Sequence, residues 1–427
     1  MPASSQPDVH GTVLSFQDAR RLVQAHANAL RGLANPSLQK LALLDALGRT
    51  LAAELLADRD LPPFPRATRD GYAVRSADLA QARTRLKIVG QIKAGGPPPA
   101  GFTCLRPGEA VEIMTGAPVP EGADAVVMVE HTESRAAGEV IVHRKLSLGE
   151  NIVRQGSEAR EGQLLAPVGT RLDYPHIALA ASVGAVMVEV FARPRVAILT
   201  TGDEVVPITV IPGENQIRNS NRHSLAAQVM LAGGEPVCLP IAPDEPHRLR
   251  ELIVEGLGCD LLLISGGVSM GKYDFIEQVL AELSAEFFFT GCRIQPGKPV
   301  VFGRMRRPEG PVAAAPRYFF GLPGNPVSTM VTFELFVKEF IFALSHTDSG
   351  PVRFAQAKLK KGFPTKGGLT RFLPGVLAGD DREQQVELLP WQGSGDIVTL
   401  ARANCYVVVH PERERYKTGE RITVLLR

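Results

Sequence analysis

The segment from residue 260 to residue 275 reads DLLLISGGVSMGKYDF, and it joins an apolar strand to a glycine-rich loop and a helix start. The continuous apolar run at its beginning predicts a strand covered on both faces, as the strands of parallel sheets are. Gly266 and Gly267 allow backbone N–H groups to approach an anion, and the helix that follows directs its positive end to the same place. Ser269 adds a hydroxyl donor, and Asp274 can hold a cation or cap the helix. The segment therefore predicts an α/β domain with a phosphate-binding loop at a strand end.

Strands and helices alternate on both sides of this segment, between residues 193 and 345. Alternation at these lengths predicts a doubly wound, mostly parallel sheet. The predicted strands are 195–200, 237–241, 260–265, 287–289, 300–302 and 317–321. The predicted helices are 221–231, 245–255 with Asp244 as its N-cap, 275–283 and 326–344.

The rest of the chain predicts further units around this one, so the fold class is multidomain α/β. Short β-rich runs separated by Gly/Pro turns indicate two β-rich domains, of which the C-terminal one is a β-barrel. The N-terminal unit is a helical and extended linker domain to which the chain returns after the first β-rich domain. The predicted division is 1–60 with 151–192, 61–150, 193–345 and 346–427.

Two helical stretches are predicted in the N-terminal unit. The first covers residues 15–30 and begins with the spacing of a capping box, formed by Ser15 and Asp18. The second is an amphipathic stretch at 38–56, broken near Gly48.

Charge, cysteine content and hydropathy limit the kinds of function and location that the sequence allows. The chain of 427 residues has 47 basic and 45 acidic side chains, a net charge of +2, which excludes nucleic-acid binding by bulk charge. Its five cysteines form no CxxC pair, which predicts a reducing, cytoplasmic environment. The N-terminal residues show no signal-peptide pattern, and the apolar run at 176–192 is too short and interrupted to span a membrane.

Three more segments follow or precede predicted strands of the α/β domain. Thr201-Gly202-Asp203-Glu204 offers two carboxylates that suit Mg²⁺ shared with phosphates, although a solvated turn is an equal alternative. The segment GLPGNPVS at 321–328 is either a rigid edge of a ligand crevice or a simple strand-to-helix connection. Lys298 is held between Gly297 and Pro299, which places its ammonium better than that of an ordinary surface lysine.

Six motifs occur in order and carry a resemblance to a known family. They are DGYAVR at 70–75, MTGAPVPEGADAVV at 114–127, TGDE at 201–204, SGGVSMGKYD at 265–274, PGKP at 296–299 and GLPGNPVS at 321–328. Together they make residues 15 to 425 resemble the molybdopterin molybdenumtransferases and the corresponding domain of gephyrin-type proteins.

The resemblance implies an enzyme that inserts molybdate into adenylylated molybdopterin, with Mg²⁺-dependent release of AMP, and forms molybdenum cofactor. It implies a four-domain homodimer whose site lies between the α/β domain of one subunit and the first β-rich domain of the other. Candidate protein partners are the molybdopterin adenylyltransferase and apo-molybdoenzymes, with no nucleic acid and no membrane.

The family's site residues are carried over by motif position. The catalytic and metal-binding set is Asp203, Glu204, Asp274 and Lys298. The set that contacts substrate is Gly266, Gly267, Ser269, Asp70, Thr115, Pro323, Asn325, Pro326, Arg371 and Ser394. Lys298, Arg371 and Ser394 are expected near molybdate, a dianion that charged and hydroxyl donors recognise.

The chain departs from the family pattern near these motifs. Pro65, Arg66 and Arg69 stand where an acidic-Asn-Ser run is usual, Gln295 replaces a frequent lysine, and Glu158 replaces the commoner Asp. Two other readings therefore stay open. One is a non-catalytic molybdopterin carrier or scaffold; the other is the related adenylyltransferase activity, against which the flanking β-rich regions argue.

Overall fold

A mixed six-stranded sheet lies at the centre of the computed structural model, which describes residues 12–30, 36–81, 83–135, 138–267, 275–306, 316–347 and 353–427. In spatial order its strands are Glu235–Cys238, Arg195–Thr200, Leu261–Ser265, Arg317–Leu322, Val301–Met305 and Glu286–Phe289. The first four run parallel, and only Val301–Met305 runs in the opposite direction to the others. The predicted mostly parallel sheet is confirmed.

Four helical segments accompany this sheet: Ser220–Leu231, Pro246–Gly256, Phe275–Glu282, and Pro326–Leu344, whose centre at Phe333–Val337 is a π-helical turn. The prediction of Asp244 as an N-cap is wrong. The second helix has Glu245 at its N-cap, without a side-chain hydrogen bond. Pro246 at the first helical position shifts the helix start by one residue, since proline needs no hydrogen-bond acceptor there.

The core between the sheet and the long helix is aromatic. Phe302 is fully buried, stacks on Phe320 at 4.6 Å between ring centroids, and meets Phe340 of the helix edge-on at 5.7 Å. The N-terminal helix Phe16–Leu30 packs on the same helix. Its predicted capping box is present in part, because Ser15 Oγ accepts from the backbone N–H of Asp18 at 3.1 Å and donates to its carboxylate at 2.6 Å.

The predicted second helix at 38–56 is wrong. The chain there forms the strand Leu38–Ala42, a 3₁₀ turn at Leu43–Ala46 and the short strand Leu55–Leu56. Leu38–Ala42 pairs antiparallel with Met187–Phe191, and Leu55–Leu56 pairs with Leu164–Ala166. The helical period was a local pattern, and pairing with strands more than a hundred residues later overrides it. The helix Tyr174–Ser182, capped by Asp173, lies in the same region.

A second six-stranded sheet contains the DGYAVR motif. Its strands in spatial order are Ala125–Met128, Gly71–Val74, Glu109–Ile113, Thr84–Ile92, Glu139–Val142 and Thr132–Arg135. The short strands Arg66–Ala67 and Ile152–Val153 pair beside it. The predicted β-rich character of this region is confirmed.

The C-terminal strands close into a barrel, as predicted. Its ring follows the order Thr370–Gly379, Gln384–Leu388, Phe354–Leu359, Arg421–Leu426 and Cys405–Val409, and the last strand pairs again with the first. The strand Ile294–Gln295 of the central region adds to Thr370–Gly379 in parallel. Smaller elements are the helix Ile397–Arg402 and the strand pairs Phe363–Pro364 with Arg415–Tyr416, Val205–Val206 with Ile217–Arg218, and Val13–Leu14 with Gly291–Cys292.

Across the described part of the chain, every helix is too short or too polar to cross a lipid bilayer. Burial raises the pKa of the Cys292 thiol to about 12 and that of Cys405 to about 11. These two thiols therefore stay protonated and chemically inert at neutral pH.

Replacing Phe302 with alanine is expected to lower the free energy of unfolding by about 3–5 kcal/mol, because it leaves a cavity between sheet and helix. Urea unfolding followed by circular dichroism measures this loss. Phe64→Ala is the control, since that ring is 40% exposed and its loss should cost less than about 1 kcal/mol. Equal losses in the two variants would contradict the central role of the aromatic core.

Candidate active site at the strand ends

A cavity of about 390 Å³ opens at the carboxyl ends of three neighbouring parallel strands. The loops after Arg195–Thr200, Leu261–Ser265 and Arg317–Leu322 form its walls, and the start of helix Ser220–Leu231 forms a fourth side. Of the predicted residues, it is lined by Glu204, Gly266, Gly267, Pro323, Asn325 and Pro326. The structure thus brings together the three loops that the sequence singled out.

Two asparagines at the start of that helix hold the loops in place. Asn219 is buried, donates to Thr200 Oγ1 at 2.7 Å and caps the helix by accepting from the Arg222 N–H. Asn221 Nδ2 donates to Ser265 Oγ at 2.9 Å and to the Gly324 carbonyl at 2.7 Å. Neither residue was predicted from the sequence to belong to the site, although an asparagine before a helix start is a usable signal.

Two buried oxygens at this site have no hydrogen-bond partner among the described residues. They are Thr201 Oγ1 and Asn221 Oδ1. A buried polar atom without a partner is uncommon, because leaving it unsatisfied costs about 1–3 kcal/mol. Thr201 and Asn221 both line the cavity, so a bound polar ligand is the natural partner for these atoms.

The glycine loop approaches its neighbours too closely for any side chain. Gly266 has φ of +101°, and a Cβ there would lie 2.6 Å from the Thr201 carbonyl oxygen. At Gly267, with φ of +58°, a Cβ would meet Ile276 Cδ1 at 2.7 Å. Gly266 therefore has no room for a side chain, a side chain at Gly267 would be strained, and both residues line the cavity. Ser269 and Asp274 of the same loop lie outside the described residues.

Carboxylates cluster on one side of the cavity. Glu204 and Asp244 line it, and Asp203 Oδ1 accepts from the Asp244 N–H at 3.1 Å. Burial raises the pKa of Asp244, and the negative charges of Asp203 and Glu204 raise it further. Asp244, which the sequence analysis assigned to a helix cap, is therefore an acid of the site. Among the described residues no three His, Cys, Asp or Glu side chains converge as a complete metal cage.

The barrel reaches the edge of the site. The carbonyl oxygen of Ser394 accepts from the Val327 N–H at 2.9 Å, beside Asn325 and Pro326. Lys298 is exposed and adjoins Pro299, which lines the cavity. Arg371 contacts Gln295, one of the residues that depart from the family pattern. Its Nε donates to Gln295 Oε1 at 2.7 Å.

Asp70 and Thr115 come together in the N-terminal sheet. The Asp70 carboxylate accepts from the Thr115 N–H at 2.6 Å and from its hydroxyl at 2.7 Å, and these bonds lower the pKa of Asp70. Neither residue lines the cavity of the same chain. Two other residues that depart from the family pattern contact each other. Arg66 and Glu158 form an exposed ion pair at 2.9 Å.

Family models match three stretches of the chain. Residues 14–184 match the MoeA N-terminal region (domain I and II), residues 197–343 match a probable molybdopterin binding domain, and residues 356–426 match the MoeA C-terminal region (domain IV). The middle model contains all four sides of the cavity.

Whole-length relatives agree with these models. Molybdopterin molybdenumtransferase from Bacillus subtilis is 33% identical over 393 residues, 90% of this chain and 89% of the relative. The Nostoc protein of the same name is 34% identical, over 89% of this chain and 86% of its own. The crystal structure of a molybdopterin biosynthesis moea protein from Pyrococcus horikosii superposes with a TM-score of 0.71 at 32% identity, covering 97% of this chain and 99% of that one. The chain therefore belongs to the molybdopterin molybdenumtransferase family.

Proposed function

We propose that this protein inserts molybdate into adenylylated molybdopterin and releases AMP, forming molybdenum cofactor. The observation that carries the proposal is the polar cavity with a glycine-lined wall and two unsatisfied buried oxygens, at Thr201 and Asn221. Bare backbone at Gly266 and Gly267 suits a phosphate group, and the Asn221 and Thr201 oxygens suit hydroxyl or N–H donors of the substrate.

The acidic side of the cavity fits a hard cation. Asp203, Glu204 and Asp244 repel one another, and a cation would relieve the repulsion that raises the Asp244 pKa. We assign Mg²⁺ to Asp203 and Glu204, with Asp274 and substrate phosphates completing the ligand set. Bound there, Mg²⁺ would neutralise charge on the pyrophosphate link. Lys298 and Arg371 would attract molybdate, and Ser394 would position it.

The protein would act as a cytoplasmic homodimer of four-domain chains with boundaries 1–60 with 151–192, 61–150, 193–345 and 346–427. Asp70 and Thr115 do not line the cavity of their own chain, which supports a site completed by the partner subunit. Inert buried thiols at Cys292 and Cys405 suit a reducing compartment. The substrate would come from the adenylyltransferase, and apo-molybdoenzymes would receive the product.

Glu204→Gln and Asp274→Asn are expected to reduce molybdate-dependent AMP release at least about tenfold, because each removes a charge from the cation side. Added Mg²⁺ should raise the melting temperature of the parent more than that of either variant. Glu214→Gln changes an exposed acid between the strands Val205–Val206 and Ile217–Arg218 that does not line the cavity, and this variant should match the parent in both assays. Near-normal turnover in Glu204→Gln and Asp274→Asn would assign these acids a structural role.

A shared site predicts complementation between two defective subunits. Asp70→Ala and Glu204→Gln homodimers should both be nearly inactive, whereas a heterodimer purified through two different tags keeps one intact site. It should show about half the parent's rate of AMP release per dimer. A heterodimer as inactive as both homodimers would place Asp70 and Glu204 in the same site of one chain. A monomer that turns over would exclude the dimer altogether.

Activity of the parent decides between the transferase and the carrier. Arg66→Asn is expected to raise the KM for molybdate if the arginine compensates for the lysine missing at 295, and Glu158→Gln separates that effect from loss of the ion pair. A charge-assisted contact of this kind is worth about 1–3 kcal/mol when buried. An inactive parent in which Gln295→Lys restores AMP release would instead favour the carrier.

A further inference from the structure

Four arginines lie close together at the end of the central sheet opposite the candidate active site, where the parallel strands begin. Arg49 and Arg171 come from the N-terminal unit, Arg193 begins the α/β domain, and Arg353 begins the barrel. The C-terminal end of the long helix Pro326–Leu344 lies between these arginines. We call the space bounded by these four side chains the arginine cleft.

Two cavities and a crevice make up this cleft. Arg49 and Arg193 line a cavity of about 810 Å³ beside the strand starts. Arg171 and Arg353 line one of about 890 Å³ beside the barrel. The crevice between the two is lined by Arg49, Arg171 and Arg193 together. The crevice itself has a volume of only about 10 Å³, but each of the two cavities is large enough for a small molecule and has arginines in its walls.

Among the described residues, the side chains of Arg49 and Arg171 donate hydrogen bonds only to neutral groups. Arg49 is 8% exposed and donates to Gln39 Oε1 at 2.7 Å and to the Phe191 carbonyl at 2.8 Å. Arg171 donates to the Leu231 carbonyl at 3.3 Å, and its guanidinium lies 4.9 Å from the Phe342 ring centre. These contacts orient the guanidinium groups without neutralising their charge.

Three acids line the two cavities, fewer than the arginines that line them. Asp260 pairs with Arg317 at 3.2 Å, Asp173 is bonded to His176, and Glu235 is exposed. Burial and the charge of Arg193 lower the pKa of Arg49, and burial, Arg193 and Arg353 lower that of Arg171. The described part of the cleft thus carries positive charge in excess.

We propose that the arginine cleft binds a small phosphate-bearing anion at a site separate from the glycine-loop cavity. Guanidinium groups bind phosphate through paired N–H donors, and relief of their mutual repulsion adds to the attraction. Because the four arginines come from the N-terminal unit, the start of the α/β domain and the barrel, the bound anion would link these three units across the end of the long helix Pro326–Leu344.

Arg193 and Arg353 are the residues to change, because both are exposed and neither side chain makes a hydrogen bond to another described residue. In chloride buffer, the double variant Arg193→Gln/Arg353→Gln should melt at or above the parent's temperature, since it loses only repulsion. Pyrophosphate at about a hundredfold excess over its Kd should raise the parent's melting temperature by about 3 °C more than that of the double variant. Any rise from the glycine-loop cavity is common to both proteins and cancels. Arg382→Gln, an exposed arginine of the barrel, should follow the parent.

Two results would overturn the proposal. Equal pyrophosphate shifts in the parent and the double variant would show that the cleft binds no anion. A double variant that melts below the parent in chloride and responds equally to pyrophosphate would mean that the arginines are neutralised internally.

Discussion

Parallel backbone pairing in register is the constraint on which the site depends. Thr200 lies opposite Ser265, and Ser265 lies opposite Leu322, so three strands end at the same level. Their loops must then leave the sheet side by side, which places the carboxylates, the glycines and the proline-rich turn around one cavity. A slip of one residue in either pairing would also exchange the faces to which the side chains point. The aromatic core beneath the sheet resists such a slip.

The features that could be read from the sequence were those with strong local signals. The central strands are apolar runs between glycines, and their order as strand–helix units made the parallel sheet predictable. The stretch at 38–56 was predicted wrongly because its partner strand, Met187–Phe191, is remote in sequence. For the same reason the positions of Asp244 and Asn221 at the cavity could not be predicted, since their contacts are made with loops that meet only in the folded chain. Several cavity-lining residues, such as Glu204, Gly266 and Asn325, lie inside motifs that the sequence singled out, whereas the residues that support them from other elements carried no such signal.

The two ends of the central sheet have opposite electrostatic character. Carboxylates and bare backbone surround the strand ends, whereas arginines surround the strand starts. Interactions between exposed charges decay within about 8–10 Å at physiological ionic strength, so each end can attract its own ligand with little effect on the other. Charge is also balanced locally where the chain departs from the family pattern, since Arg66 and Glu158 form an ion pair and neutralise each other.

The way the barrel is joined to the central sheet limits how far the chain can be treated as separable modules. The strand Ile294–Gln295 adds to the barrel edge, and the Ser394 carbonyl accepts from Val327 at the start of the long helix. Excising residues 193–345 would therefore strip hydrogen-bond partners from a strand and from the loop that borders the cavity. The barrel therefore supports the PGKP and GLPGNPVS segments mechanically, and a change in how it docks would alter the rigidity of the site as well as its lining.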